Sequence, residues 1–137
     1  MKVNFDSVSF GCKNICYHDD THNIKEVFDD NGQKLLRRIK YDKQCRDVDS
    51  QEFNEKREVI AHQHKEYTPD GCIETYKSKT QEYVRVIKSF VKDSYTHHVE
   101  KFTSKTSPES NYAHEFIRDK FGKLVKVINN GKVINLK

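Results

Sequence analysis

The sequence predicts a mainly β protein, an antiparallel meander forming an open or elongated sheet, and three observations carry that prediction. Turn signals recur along the chain, the segments between them alternate with the two-residue period of strands, and the composition suits a sheet with a wet face. Of the 137 residues, 34% are hydrophobic and 34% are charged, yet seven Tyr and eight Phe are present. That many aromatics argues against a disordered chain, and so much charge argues against a thick apolar core. A sheet with at least one solvated face satisfies both limits, because alternate side chains along its strands can then be charged. The length fits a single domain over residues 1–137.

The elements follow in chain order. FDDNGQKL at 28–35 sets Asn31 and Gly32, the preferred pair of a type I′ turn, between apolar flanks. SQEFNEKREVIAHQHKEY at 50–67 is the one stretch with helical character. Ser50 can cap it, and Phe53, Val59, Ile60 and Tyr67 can share a helical stripe. The reading adopted is a short helix or loop over 50–56 and a strand over about 57–67. YTPDGCIE at 67–74 is a turn in which Pro69 pre-sets φ and Gly71 is able to take φ > 0. QEYVRVIKSFVKD at 81–93 alternates Tyr83, Arg85, Ile87 and Ser89 with Val84, Val86, Lys88 and Phe90, and its β-branched centre predicts a strand.

YTHHVEKFTSK at 95–105 has only Val99 and Phe102 among polar residues, so it predicts a weaker strand near an edge, where Lys discourages further pairing. TSKTSPESNY at 103–112 has the composition of an exposed linker. LVKVI at 124–128 and KVINL at 132–136 flank Asn129, Asn130 and Gly131 and form the clearest hairpin, with a further turn at Gly122. The turn signals imply about seven to nine strands and at most one short helix.

GCKNICYHDDTHN at 11–23 gathers four metal-ligand types, Cys12, Cys16, His18 and His22. Structural zinc sites bring two ligand pairs together across a spacer long enough for four ligands to surround the ion. Here Tyr17 is the entire spacer, so a strand end followed by a turn is the expectation, with no cofactor and zinc as the alternative. His62 and His64 would share one strand face with Glu66, but two exposed imidazoles on a polar face are the simpler reading. GxSxG, HExxH and a phosphate-cradling glycine loop are all missing, and this weighs against an enzyme.

The formal net charge is +4, below the density of dedicated nucleic-acid binders, and the bases are interleaved with acids as in KYDKQCRDVD. LLRRIKYDK at 35–43 nevertheless combines Arg37, Arg38 and Lys40 with Tyr41, and these four, with Tyr76 and Tyr83, are the candidate partner-binding residues. On a strand, Arg37 falls on one face and Arg38 with Lys40 on the other, which splits the charge that nucleic acid would need. The expected partner is therefore another protein, with single-stranded nucleic acid as the alternative. MKVNFDSVSF has no secretory apolar run, and no segment approaches the roughly 20 apolar residues of a membrane helix. The expectation is a cytoplasmic protein with reduced thiols and no membrane partner.

Aligned on their turn glycines, Phe28-Asp29-x-x-Gly32-x-x-Leu35, Tyr67-x-x-x-Gly71-x-Ile73 and Ile117-x-x-x-x-Gly122-x-Leu124 form a weak internal repeat. It resembles the YD (RHS-type) repeat and, more distantly, the MORN-variant repeats of antitoxin-type proteins. The middle copy departs from the pattern, with Thr68 where Asp is expected. The resemblance covers about half the chain. It implies an open antiparallel sheet that binds another protein, such as a toxin occluded by a small immunity or antitoxin-like protein.

Overall fold

The computed structural model describes residues 3–5 and 13–136. The described residues form twelve strands: β1 (Val3–Phe5), β2 (Lys13–His18), β3 (Asn23–Phe28), β4 (Leu35–Tyr41), β5 (Asp47–Phe53), β6 (Val59–Thr68), β7 (Gly71–Ser78), β8 (Glu82–Lys92), β9 (Tyr95–Ser104), β10 (Tyr112–Arg118), β11 (Leu124–Asn129) and β12 (Lys132–Asn135). Each is hydrogen-bonded to its neighbour in sequence, which makes an open antiparallel meander. The predicted fold class is therefore the observed one, and the extra strands are those whose alternation is masked by polar residues.

β5 is the clearest case. DVDSQEF carries polar side chains on both faces, and Ser50, the expected helix cap, lies inside the strand opposite Ile39 and Gln63. No helix starts there: residues 50–53 complete β5, and Asn54 opens a turn into β6. Cross-strand pairing has overridden a local preference for helix. β9 also differs from expectation, since it pairs along its length with both β8 and β10 and is not at an edge. Its imidazoles and Phe102 find ring partners on both neighbours, which the bare polarity of the segment conceals. The predicted linker after β9 is a single 3₁₀ turn at Pro108–Ser110, anchored by Asn111 Oδ1 accepting from the Ser104 amide at 2.7 Å.

The turns follow one rule that glycine spacing does not reveal. At Asp42, Asn54 and Asp119 the backbone N–H donates to the carbonyl four residues on, and the carbonyl accepts from the amide three residues on. The side-chain Oδ1 accepts from the amides two and four residues on, at 2.9–3.0 Å. Asp29 builds the same turn with one residue more, its Oδ1 accepting from Gln33 and Lys34. In each, the residue three past the Asx is left-handed: Gly32, Cys45, Arg57 and Gly122, with φ of 69°, 62°, 60° and 82°. A register shift accompanies each turn just before the Asx, as a bulge that matches the hairpin to the sheet twist. Asn31 is not at positive φ, so 28–35 is not the predicted type I′ turn. Asn130 and Gly131 do form one, at φ 49° and 84°, as do Asp93 and Ser94.

These turns carry a pH prediction. Bonds from the Lys34 and Gln33 amides hold the Asp29 carboxyl below its ordinary range. At Asp42 the lowering comes from the Arg46 and Gln44 bonds, which outweigh the opposing effect of desolvation. A carboxyl with a depressed folded-state pKa contributes stability above its unfolded pKa and loses it as pH falls through the folded value. Asn54 shows that an amide oxygen fills the same role without titrating. The double variant Asp29→Asn, Asp42→Asn should keep a near wild-type melting temperature at neutral pH and lose less of it below about pH 4. Superimposable acid limbs in a melting series would remove these turns as the source.

The chain divides into two compact units, one holding residues up to Lys65 with Tyr76–Lys79, the other Glu66–Thr75 with Thr80–Lys137. In the first, the buried apolar residues are Ile24, Phe28, Leu35 and Ala61. Phe28 and Leu35 face one another across the Asp29 turn. In the second, Ile117 is buried, as are the polar Glu74 and Ser104. No helix among the described residues is long and apolar enough to cross a membrane.

Candidate interaction face

Alternation along β8, β9 and β10 sorts the second unit's side chains into two faces. Cross-strand register places Tyr83 opposite Ser104, Arg85 opposite Phe102, and Ser89 opposite His98. It continues with Tyr112 opposite Phe102, His114 opposite Glu100, and Phe116 opposite His98. One face therefore collects Tyr83, Phe102, Tyr112, His114, Phe116 and His98, all half-buried.

These rings form an unbroken row. Centroids are 4.9 Å apart for Tyr83–Phe102, 5.3 Å for the stacked Phe102–Tyr112 and 4.4 Å for the stacked Tyr112–His114. His114–Phe116 at 6.2 Å and Phe116–His98 at 6.5 Å complete it. These spacings lie in or at the edge of the range of about 4.5–7 Å in which aromatic pairs attract beyond simple burial, worth about 0.5–1.5 kcal/mol for a pair such as Tyr83–Phe102 or Phe102–Tyr112. The row cements three strands without filling a closed core.

Beside it runs a charged network. Glu74, 4% exposed, meets Arg85 at 3.2 Å, and the other guanidinium arm lies 3.5 Å from Glu100. Tyr83 donates its hydroxyl weakly to Glu74 at 3.4 Å, and Tyr112 donates to Glu100 at 3.0 Å. Burial pushes the Tyr112 phenol above its ordinary range, and the bond and charge of Glu100 push it further. Burial alone would lower the Arg85 pKa, but Glu74 and Glu100 raise it above its usual value, so the guanidinium is firmly charged.

The opposite face is different in kind. Val84, Val86, Val99 and Ile128 alternate with Lys88, Lys101 and Lys126. His97 stacks on Phe90 at 4.9 Å and bonds Glu115 through Nδ1 at 2.7 Å, an ion pair when the imidazole is protonated.

The candidate residues from the sequence are distributed as follows. Arg37 and Tyr41 lie on one face of β4 and Arg38 with Lys40 on the other, the split that alternation predicts. Arg38 pairs with Glu26 at 2.8 Å and sits over the Phe53 ring at 5.3 Å. Lys40 lies between Ile24 and Asp49. Tyr76 is on β7 in the first unit, and Tyr83 opens the ring row of the second. The other five members of that row are not among the candidates that the sequence offers. YAHEF at 112–116 did carry a signal, since its rings recur at every second residue.

Of the four metal-ligand types at the N-terminus, Cys12 lies outside the described residues. Cys16 and His18 lie on β2, and His22 closes a turn in which Asp19 Oδ1 accepts from the Thr21 and His22 amides at 2.8 and 2.7 Å. Those two bonds hold the Asp19 carboxyl below its ordinary range. His22 Nδ1 is 2.7 Å from the Thr21 hydroxyl. His62 and His64 share a face as expected, but the acid beside them is Asp49, from the neighbouring strand. Asp49 bonds His62 Nε2 and lies 3.5 Å from His64 Nδ1. Among the described residues, no group of three or more His, Cys, Asp or Glu side chains is arranged to hold a metal ion.

Comparison with protein-family models, curated proteins and solved structures finds no match, so the reading of this chain rests on its own residues.

Proposed function

We propose that this chain is a non-catalytic protein-binding module, and that the ring-bearing face of its second unit is the surface that seats the partner. The row from Tyr83 to His98 carries this reading. Rigid, half-exposed aromatic side chains beside an arginine are the composition of interface centres, where they supply area at little entropic cost. A small immunity or antitoxin-like protein acting in the cytoplasm, covering a toxin with this face, is the role we assign within that class. The resemblance to YD and MORN-variant repeats is the ground for that narrower role.

Single-stranded nucleic acid is the competing reading, since stacked rings with an arginine can hold bases and phosphates. Charge weighs against it on this face. Arg85 is held between Glu74 and Glu100, and carboxylates beside the rings repel a phosphate backbone. In the first unit Arg38, Arg46 and Lys65 are likewise paired, with Glu26, Asp42 and Asp47.

Affinity purification followed by titration of the recovered partner provides the test. His114→Ala and Phe116→Ala should each weaken binding at least tenfold, about 1.4 kcal/mol, while Lys88→Ala on the opposite face changes it little. Recovery of nuclease-sensitive nucleic acid with no stoichiometric protein, or binding indifferent to both ring variants, would overturn the assignment.

A further inference from the structure

On the face opposite the ring row, a cavity of about 520 Å³ opens in the second unit near the β8–β9 turn. Register explains what lines it. His97 pairs with Ile117 across β9 and β10, and Ile117 pairs with Lys126 across β10 and β11, so these three side chains stand in one row on one face. Lys92 and Tyr95 pair across the hairpin, two residues beyond Phe90 and two before His97, and add a second row on the same face. Ile117, 9% exposed, forms the floor. Beside it the register shifts between Ile117 and Arg118, which leaves Val125 as the extra residue of a bulge, an irregularity that bends a strand and re-aims its side chains.

Charge in the cavity is unbalanced. Lys92 and Lys126 take part in no ion pair or side-chain hydrogen bond among the described residues. The acid of the lining is Asp93, in the turn, whereas Glu115 is already engaged by His97 Nδ1 at 2.7 Å. Two ammonium groups against one carboxylate leave a single positive charge in excess, the complement of a monoanion. The walls are flat. His97 is held by Glu115 and by stacking on Phe90, 4° from parallel at 4.9 Å, and Tyr95 stands 43% exposed. Both offer ring surface to a planar guest.

We propose that this cavity binds a small organic carboxylate carried on a flat apolar body. Lys92 and Lys126 supply the charge that the carboxylate meets, and the body rests on Ile117 between the His97 and Tyr95 rings. The volume falls within the roughly 300–1,000 Å³ of small-molecule pockets and far exceeds what a bare ion fills. A phosphate monoester suits the cavity less well, because a dianion exceeds the charge in surplus. The site faces away from the ring row and does not depend on the partner assigned there.

2-Naphthoate is the probe. Titrated into the full chain and followed by amide chemical shifts, it should bind saturably, moving the Tyr95, His97, Ile117 and Lys126 amides and leaving those of Tyr83 and Phe102 in place. 2-Naphthamide, the same body without the charge, and acetate, the same charge without the body, should each bind about tenfold more weakly or worse. Lys92→Met and Lys126→Met keep the aliphatic stems and should each weaken 2-naphthoate by about threefold, with the melting temperature unchanged. Lys101→Met, on the same face but outside the cavity, should leave the affinity as it was. The proposal is overturned by shifts that never saturate, by equal binding of 2-naphthamide or acetate, or by an affinity that both lysine variants leave intact. Tighter binding of 2-naphthyl phosphate than of 2-naphthoate also overturns it, since the cavity would then be a phosphate site.

Discussion

Gly71→Ala should be the most damaging single-methyl substitution among the described residues, costing at least about 3 kcal/mol, toward the upper end for overpacking. The reason is not the turn. Gly71 begins β7 outside the positive-φ region, so the conformational freedom that the sequence assigns to it is not used. What its missing side chain allows is contact between backbones. A β-carbon at position 71 would lie 1.8 Å from the Ile87 carbonyl oxygen, 2.8 Å from the Ile87 carbonyl carbon and 2.9 Å from the Lys88 α-carbon. None of these is the end of a flexible side chain, so the strands must move apart. The Ser89 amide bond to the Asp70 carbonyl, at 2.7 Å, lies directly beside the clash. By contrast, alanine at Gly122 or Gly131 meets no atom within 4 Å and is strained only through its left-handed backbone. Thermal and urea unfolding of Gly71→Ala beside Gly122→Ala separates the two causes. A Gly71→Ala variant within about 1 kcal/mol of wild type would show that no such contact exists in solution.

Arg85→Met should cost about 2–3 kcal/mol, the second largest expected effect. It keeps much of the aliphatic stem against the ring row and deletes the cation between Glu74 and Glu100. Glu74 carries most of the cost, because its side chain is only 5% exposed and loses its ion pair in a site where water cannot replace it. The Arg85 side chain is 36% exposed, which keeps the expected loss below that of a fully buried pair. Glu74→Gln added to Arg85→Met should recover part of the loss by removing the buried charge that the guanidinium had balanced, giving a coupling energy of opposite sign to the single effects. Strictly additive losses in that double-mutant cycle would mean that Arg85 acts by packing alone.

The sequence was most informative where a turn requires a special backbone. Asn130-Gly131 announces its hairpin because both central residues need positive φ and this pair tolerates it. It was least informative where the same conformation is imposed on an ordinary residue. Cys45 and Arg57 are left-handed like Gly32 and Gly122, yet neither residue type signals a turn. A repeat aligned on glycine therefore included Tyr67–Gly71, which does not build this turn, and missed those that begin at Asp42 and Asn54. The common element is the Asx side chain, whose oxygen replaces the amide partners that the turn interrupts. The ring row was hidden for another reason. Its members come from three strands, so their convergence depends on register, which no single segment specifies.

The strand order also has a kinetic consequence. Because each described strand from β2 onward bonds to its immediate neighbour in the chain, each new ladder there requires only the closure of a short connection, and no segment must await a distant one. All-β proteins are commonly slow because they must bring remote strands together before any contact compensates for the lost chain entropy. This chain avoids that step. Hairpins can zip onto an existing edge one at a time, each edge being covered by the next strand in the chain.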